Sequence, residues 1–312
     1  MNWLILSSFL PFFSCAFSLT SKYLLSFTSP VSYTAYVLGS SAVLSILYNY
    51  VTGTKMYATV LSAISGICFG LATFGFERAI HNGNNPGLIS GLYRSQAALT
   101  AILSVFFLGS SLTLMKGFGI VITMIGALMI ALDKHTREMF DVGFHKHNDQ
   151  DNEVSKKGKE QDEPEDKSWG LMLAIAGIFM TIKDITAVKC INNGMKPSNY
   201  IVSQLLFGSL VIFAYKIYKR GTLKIELKNG GDLKKALIGI SAISLDNVIW
   251  CGVLVYAMSI APNPAYPKVI TLLSIAMTSY ISQFLFKNAT LDRTQWMGIL
   301  VLLGGLFTIV FN

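Results

Sequence analysis

Apolar residues run along this chain in blocks of about twenty, separated by short polar turns. Blocks of that length match the roughly 30 Å hydrocarbon core that an α-helix must cross in a bilayer. Ten such spans are predicted. The first five cover residues 3–25, 31–51, 57–80, 87–108 and 112–132, and the second five cover 169–190, 198–218, 235–259, 264–286 and 294–311. Between the sets, residues 133–167 are rich in Lys, Glu, Asp, Asn and Gln, and predict a disordered linker outside the bilayer. The first span begins at once, with no charged n-region and no small-residue cleavage site, so no removable signal peptide is expected. The expected fold class is an all-α membrane protein of ten transmembrane helices.

Composition narrows the class further. Hydrophobic residues make up 52% of the 312 and charged residues only 13%, about half the charged share of an ordinary soluble domain. That excludes a disordered chain and leaves a soluble globule too few charges to cover its surface. The four cysteines each lie inside an apolar run, which excludes a disulfide-stapled secreted domain. Residues 133–167 hold seven basic and eleven acidic side chains, so the excess of positive charge lies in the turns between spans. Basic turns of this kind flank membranes, and no nucleic-acid partner is expected.

The two sets of five are related. A shift of 179 residues places Asn84 on Asn263, Phe107 on Phe286, Leu112 on Leu291, Gly119 on Gly298 and Gly126 on Gly305. The first two spans need a shift of 167, which places Lys22 on Lys189, Pro30 on Pro197 and Tyr33 on Tyr200. The difference is one longer loop, around Gly221–Asp232. Five is odd, so two fused five-span units face opposite ways across the bilayer and meet around a central cavity. The expected organisation is a first repeat over 1–132, the linker over 133–167 and a second repeat over 168–312.

Several motifs carry a family likeness. The first half contains Asn85-Pro-Gly-Leu-Ile-Ser-Gly-Leu-Tyr93, then Phe106-Phe-Leu-Gly-Ser-Ser-Leu-Thr113, then Gly117-Phe-Gly-Ile120 and Ile125-Gly-Ala-Leu128. The second half echoes them in Asn263-Pro-Ala-Tyr266 and in Gly298, Gly304 and Gly305. Over 80–132 and 256–311 the chain resembles the drug/metabolite transporter superfamily in its EamA-like ten-helix form, whose fold is shared by nucleotide-sugar and triose-phosphate translocators. The glutamate usual at the corner between the fourth and fifth helices is Ser110 here, and Asn288 or Ala289 in the second half. The resemblance implies ten helices around a cavity lined by spans 3, 4, 8 and 9, alternating access, and cytosolic termini. The basic stretch Lys216–Lys235 favours the opposite orientation.

Charges inside spans are the most informative positions, because each costs about 2.5–3.5 kcal/mol at a helix centre on insertion scales. Arg94 in span 4 borders a face formed by Tyr93, Gln96, Thr100 and Ser104 at helical spacing. It reads either as a fork for a carboxylate or phosphate or as half of an ion pair with Asp246 or Glu77. Lys268, Thr271, Thr278 and Ser282 form a second polar face in span 9, with Lys268 either in the cavity or snorkelling to the interface. Pro262, Pro264 and Pro267 interrupt any helix ahead of it. Asp246 in span 8 is a candidate for proton coupling or for a salt bridge to Arg94 or Lys183. Lys183 and Asp184 both face the bundle interior, but as sequence neighbours they point about 100° apart and are expected not to satisfy each other. Glu77 and Arg78 are expected at the membrane interface, and Lys22 and Lys189 as snorkelling anchors. Gly66 and Gly70, and the glycines of spans 5 and 10, are expected to let helices approach closely; a homodimer through span 5 or 10 is an open alternative.

The expected function is secondary transport or exchange of a small polar metabolite, anionic in view of Arg94 and Lys268, by alternating access. The alternative is a non-transporting membrane scaffold or receptor acting through the charged linker. No nucleophile–base pair, Walker motif or cofactor fingerprint is present, so neither an enzyme nor a cofactor is expected. His145 and His147 have no cysteine partner nearby, so no metal site is expected.

Overall fold

The computed structural model describes residues 2–82, 86–131, 169–227, 232–286 and 293–311. They form α1 (Trp3–Leu25), α2 (Pro30–Val51), α3 (Val60–Asn82), α4 (Pro86–Arg94), α5 (Gln96–Leu108), α6 (Leu114–Ala131), α7 (Trp169–Asn192), α8 (Pro197–Arg220), α9 (Leu233–Ile260), α10 (Ala265–Thr271), α11 (Leu273–Phe286) and α12 (Arg293–Phe311). An isolated antiparallel bridge joins Thr28 and Leu227. The predicted linker, with His145 and His147, lies outside the described residues.

Local chemistry sets the helix ends. Pro30 and Pro197 each open a helix, where a missing N–H costs nothing. The Ser29 side chain caps α2 by accepting from the Ser32 amide, and Asp232 caps α9 by accepting from Lys234. Gly221, at φ 62°, closes α8 in the left-handed region that a side chain disfavours.

Eight helical segments are long and apolar enough to cross a membrane. Large apolar side chains such as Phe9, Phe12, Leu47, Phe106, Phe118 and Phe307 are exposed on the outside. Inside, Ser41, Asn49, Ser65, Glu77, Thr100, Lys183, Asp184 and Gln204 are fully buried. An apolar exterior around a polar interior suits lipid as solvent. The chain is an all-α, multi-pass integral membrane protein.

The two remaining predicted spans differ from the plain reading. Span 5 corresponds to the shorter apolar helix Leu114–Ile130 among the described residues. Span 9 is divided into α10 and α11 by a break at Leu272. Span 4 is likewise divided at Ser95. At both breaks the backbone tightens to i−3 bonding: Ala98 N–H donates to Ser95 O (3.1 Å), and Ile275 N–H to Leu272 O (2.9 Å).

Packing follows a repeated scheme. α3 packs on α7 and α8, while α9 packs on α1 and α2; α2 crosses α8, and α6 crosses α12. Glycine makes the last crossing close. A Cβ on Gly126 would stand 2.3 Å from Leu302 N and 2.7 Å from Gly298 O, and one on Gly305 would stand 2.8 Å from Gly119 O. Gly119, Gly126, Gly298 and Gly305 therefore serve the contact between these two helices within one chain, whereas a Cβ on Gly117 or Gly304 would meet nothing within 4 Å. A Cβ on Gly70 would likewise stand 2.6 Å from Gly208 O and one on Gly66 2.8 Å from Gln204 O, the close approach expected of this pair. Hydrogen bonds between buried side chains tie the helices further: Asn49 Nδ2 donates to Asn199 Oδ1 (2.9 Å) and Asn247 Nδ2 to Ser41 Oγ (3.1 Å). All four cysteines are free and buried.

The longer loop of the second half has a defined seat. Its Glu226 accepts from Ser29 Oγ (2.8 Å) and from Lys216 Nζ (3.4 Å), and Lys216 also donates to Ser32 Oγ (2.6 Å). Residues 221–227 are thereby strapped to the start of α2.

Candidate functional site

A cavity of about 80 Å³ lies in the interior, room for several waters or part of a small solute. α1 contributes Ser14 and Phe17, α3 contributes Phe69, Thr73 and Phe76, and the α4–α5 break contributes Tyr93, Arg94 and Gln96. From the second half, α7 contributes Met180, α9 contributes Asn247, Trp250 and Leu254, and α10 contributes Lys268 and Thr271. The two broken helices thus meet at the cavity. Breaks free backbone carbonyls, and the Thr271 carbonyl accepts from Arg94 Nη1 (3.5 Å) and from Ser274 Oγ (2.7 Å).

Charge is concentrated around Asp184. Its carboxylate accepts from Lys268 Nζ, from Lys183 Nζ at 3.3 Å and from Thr100 Oγ1 at 3.5 Å. Lys183 also lies over the Phe69 ring, 5.5 Å from its centroid. Asp184 and Lys183 are fully buried, and Lys268 is nearly so. Arg94 meets no carboxylate among the described residues. A guanidinium carries five donors; here Nε is buried without an acceptor. Three other side chains lining the cavity leave a buried polar atom unpartnered: Ser14 Oγ, Gln96 Oε1 and Trp250 Nε1. Buried polar groups in folded proteins nearly always have partners, so four orphans around one cavity point to bound solvent or solute.

The structure brings together most of the residues singled out from sequence. Arg94, Lys268, Tyr93, Gln96 and Thr271 all line the cavity. Lys268 is in the interior, not at the interface. Thr100 reaches Asp184, whereas Ser104 Oγ bonds Ala101 O in its own helix (2.8 Å). Thr278 does not line the cavity; its side chain reaches the Cys15 thiol on α1. The side chain of Ser282 lies outside the described residues. Lys22 and Lys189 are exposed near helix ends, as anchors would be.

Three sequence expectations need correction. Lys183 and Asp184 do satisfy each other: Cα directions differ by about 100°, but the long lysine stem curls until its ammonium reaches the neighbouring carboxylate. No salt bridge joins Asp246 to Arg94 or Lys183 among the described residues; Lys183 is taken by Asp184, and Asp246 Oδ2 is buried without a partner. Glu77 is not exposed at the end of its helix. It is fully buried and both carboxyl oxygens lack a partner.

Sequence reasoning missed Ser14, Phe17, Phe69, Thr73, Phe76, Met180, Trp250 and Leu254. One signal was available for the first: Ser7, Ser14 and Ser21 recur every seven residues on α1, and all three are buried. The aromatic and aliphatic members carry no such signal, because they look like any apolar core position.

Fold and site together define a multi-pass all-α membrane protein with an apolar exterior and a largely apolar, aromatic-lined cavity into which Arg94 and Lys268 bring positive charge. No family model and no curated protein matches the chain. It is similar to a solved structure described only as "Crystal structure of protein", with a TM-score of 0.70 and 11% identity, over 98% of this chain and 97% of that one. At that identity the likeness is one of fold alone.

Proposed function

We propose that this chain is a secondary transporter or exchanger of a small anionic metabolite, of the EamA-like drug/metabolite transporter type, working by alternating access. The observation that carries the reading is the charge at the cavity: Lys183 and Lys268 share one carboxylate, Asp184, while Arg94 meets none among the described residues and keeps a buried donor free. An anion entering there meets a preorganised fork without displacing an internal partner. Asp184 and Lys183 act as the fixed ion pair. Glu77, fully buried, and Asp246, half-buried with Oδ2 sealed from solvent, form no salt bridge among the described residues and are the carboxylates available to load and unload a coupling proton.

The architecture behind this reading is ten crossings in two inverted five-span repeats, over 1–132 and 168–312. Repeat-related positions behave alike in its support. Pro30 and Pro197 both open helices, and Tyr33 and Tyr200 are both fully buried. The contact of Gly126 with Gly298 is the repeat counterpart of that between Gly305 and Gly119. Both fourth spans are broken, at Ser95 and Leu272. Cavity walls come from spans 1, 3 and 4 and from their counterparts 6, 8 and 9. Rocking of two such units about a shared cavity is the motion this arrangement allows.

The test is flux into proteoliposomes loaded with pooled organic acids and phosphorylated metabolites. Arg94→Gln and Lys268→Gln, each verified as a monodisperse folded protein, are expected to lower anion flux by about tenfold or more. Unchanged flux in both would refute an anion site. Deleting 140–165 is expected to leave flux intact, whereas a scaffold acting through its linker would lose its partner.

A further inference from the structure

Resting on the transporter reading above, the structure assigns the cavity to an aryl carboxylate that bears a hydroxyl or ring N–H and no ammonium group. Five of the lining side chains are aromatic: Phe17, Phe69, Phe76, Tyr93 and Trp250. They are not equivalent. Phe76 and Tyr93 stack on each other, with centroids 4.4 Å apart and planes 28° from parallel. Phe69 takes the Lys183 ammonium on its face. Phe17 and Trp250 have no ring partner among the described residues, and Trp250 brings to the cavity a buried indole N–H that has no acceptor. An aliphatic solute would fill this space by size alone. A flat ring gains offset or edge-to-face contact with the aromatic walls as well.

The orphaned polar atoms define the substituents. Arg94 Nε and Trp250 Nε1 are donors without acceptors, and a carboxylate supplies acceptors to both. Gln96 Oε1 is an acceptor without a donor, and the Gln96 side chain is only 9% exposed. A ligand with acceptors alone would leave that oxygen to water, whereas a phenolic O–H or ring N–H would pair with it directly. Ser14 Oγ, 2% exposed and also unpartnered, serves as donor or acceptor. An α-ammonium would face Arg94 and Lys268, no carboxylate is among the residues that line the cavity, and Asp184 beside it is already taken by Lys183 and Lys268. Aromatic amino acids are therefore disfavoured.

The experiment compares 4-hydroxybenzoate with benzoate, cyclohexanecarboxylate and tyrosine, by thermal shift of the purified full chain and by flux in proteoliposomes. 4-Hydroxybenzoate is expected to bind about tenfold or more tightly than cyclohexanecarboxylate, with benzoate between them and tyrosine weakest. Trp250→Leu is expected to abolish the preference for the ring while retaining aliphatic acid binding. Trp250→Phe, which keeps a ring without the N–H, should bind all acids more weakly but preserve their order. Equal affinity for 4-hydroxybenzoate and cyclohexanecarboxylate, or tighter binding of tyrosine, overturns this assignment and leaves anion transport standing. If no acid in the panel or in the metabolite pool binds or moves, both readings fall.

Discussion

Asp184 is the residue on which the interior charge balance turns. It is fully buried and bonded to two lysines and a threonine. Removing one partner of a buried ion pair leaves the other uncompensated, which is costlier than never having had the pair. Asp184→Ala is therefore expected to destabilise the protein by about 3–5 kcal/mol, read as a large fall in melting temperature in detergent. Asp184→Ala with Lys183→Met and Lys268→Met together should recover part of that loss. A single substitution that leaves melting unchanged would mean that the lysines find other partners. Arg94 and Lys268 were legible as candidates because a charge in an apolar run is conspicuous. Which cation would be paired was not legible: Asp184 lies 84 residues before Lys268, and only folding brings them together.

Among the elements, α6 and α12 form the closest crossing. Gly126→Ala would place a methyl 2.3 Å from a backbone nitrogen, where no side chain can yield, and is expected to destabilise by about 1–3 kcal/mol or more. Gly304→Ala is the internal control. Nothing lies within 4 Å of its new methyl, and loss of glycine's freedom in a helix should stabilise by about 0.5–1 kcal/mol. Thermal unfolding of the two variants should move in opposite directions. The strap formed by residues 221–227 carries a pH dependence of its own. Partial burial alone would raise the Glu226 carboxyl, but the Ser29 hydrogen bond and the Lys216 and Arg220 charges outweigh it and hold Glu226 below its ordinary value of 4.5. A carboxyl lowered by folding stabilises the strap above that ordinary value and loses the contribution as pH falls through the folded one. Hydrogen exchange of 221–227 should therefore quicken on going from pH 7 to below pH 4, relative to exchange at a matched intrinsic rate. Glu226→Gln should be fast at both. The sequence marked this loop as the one length difference between the repeats, but its attachment to α2 depends on Ser29 and Ser32, nearly two hundred residues away.

At the scale of the whole molecule, the proposed ten crossings would place both ends of the chain on one side of the membrane and the 133–167 segment, after five of them, on the other. Single cysteines at position 2, at position 150 and at position 312, introduced after the four native cysteines are replaced by alanine or serine, should label from opposite sides in that pattern. Labelling of all three from one side would remove the inverted repeat, and with it the proposed alternating access. Apolar blocks of bilayer length and scarce charge were enough to determine a helical membrane protein, because in hydrocarbon every backbone polar group must be bonded within its own helix. The polar faces of spans 4 and 9 could be read from helical spacing for the same reason, since a hydroxyl or guanidinium is excluded from lipid. Only the tertiary structure decided that both of these spans break, that Glu77 is interior and that Thr278 turns to α1. It alone joined Asp184 to its lysines and gathered the aromatic wall. Those outcomes depend on which helix lies beside which, and an apolar residue carries no mark in the sequence to tell a neighbouring helix, a lipid tail and a cavity apart.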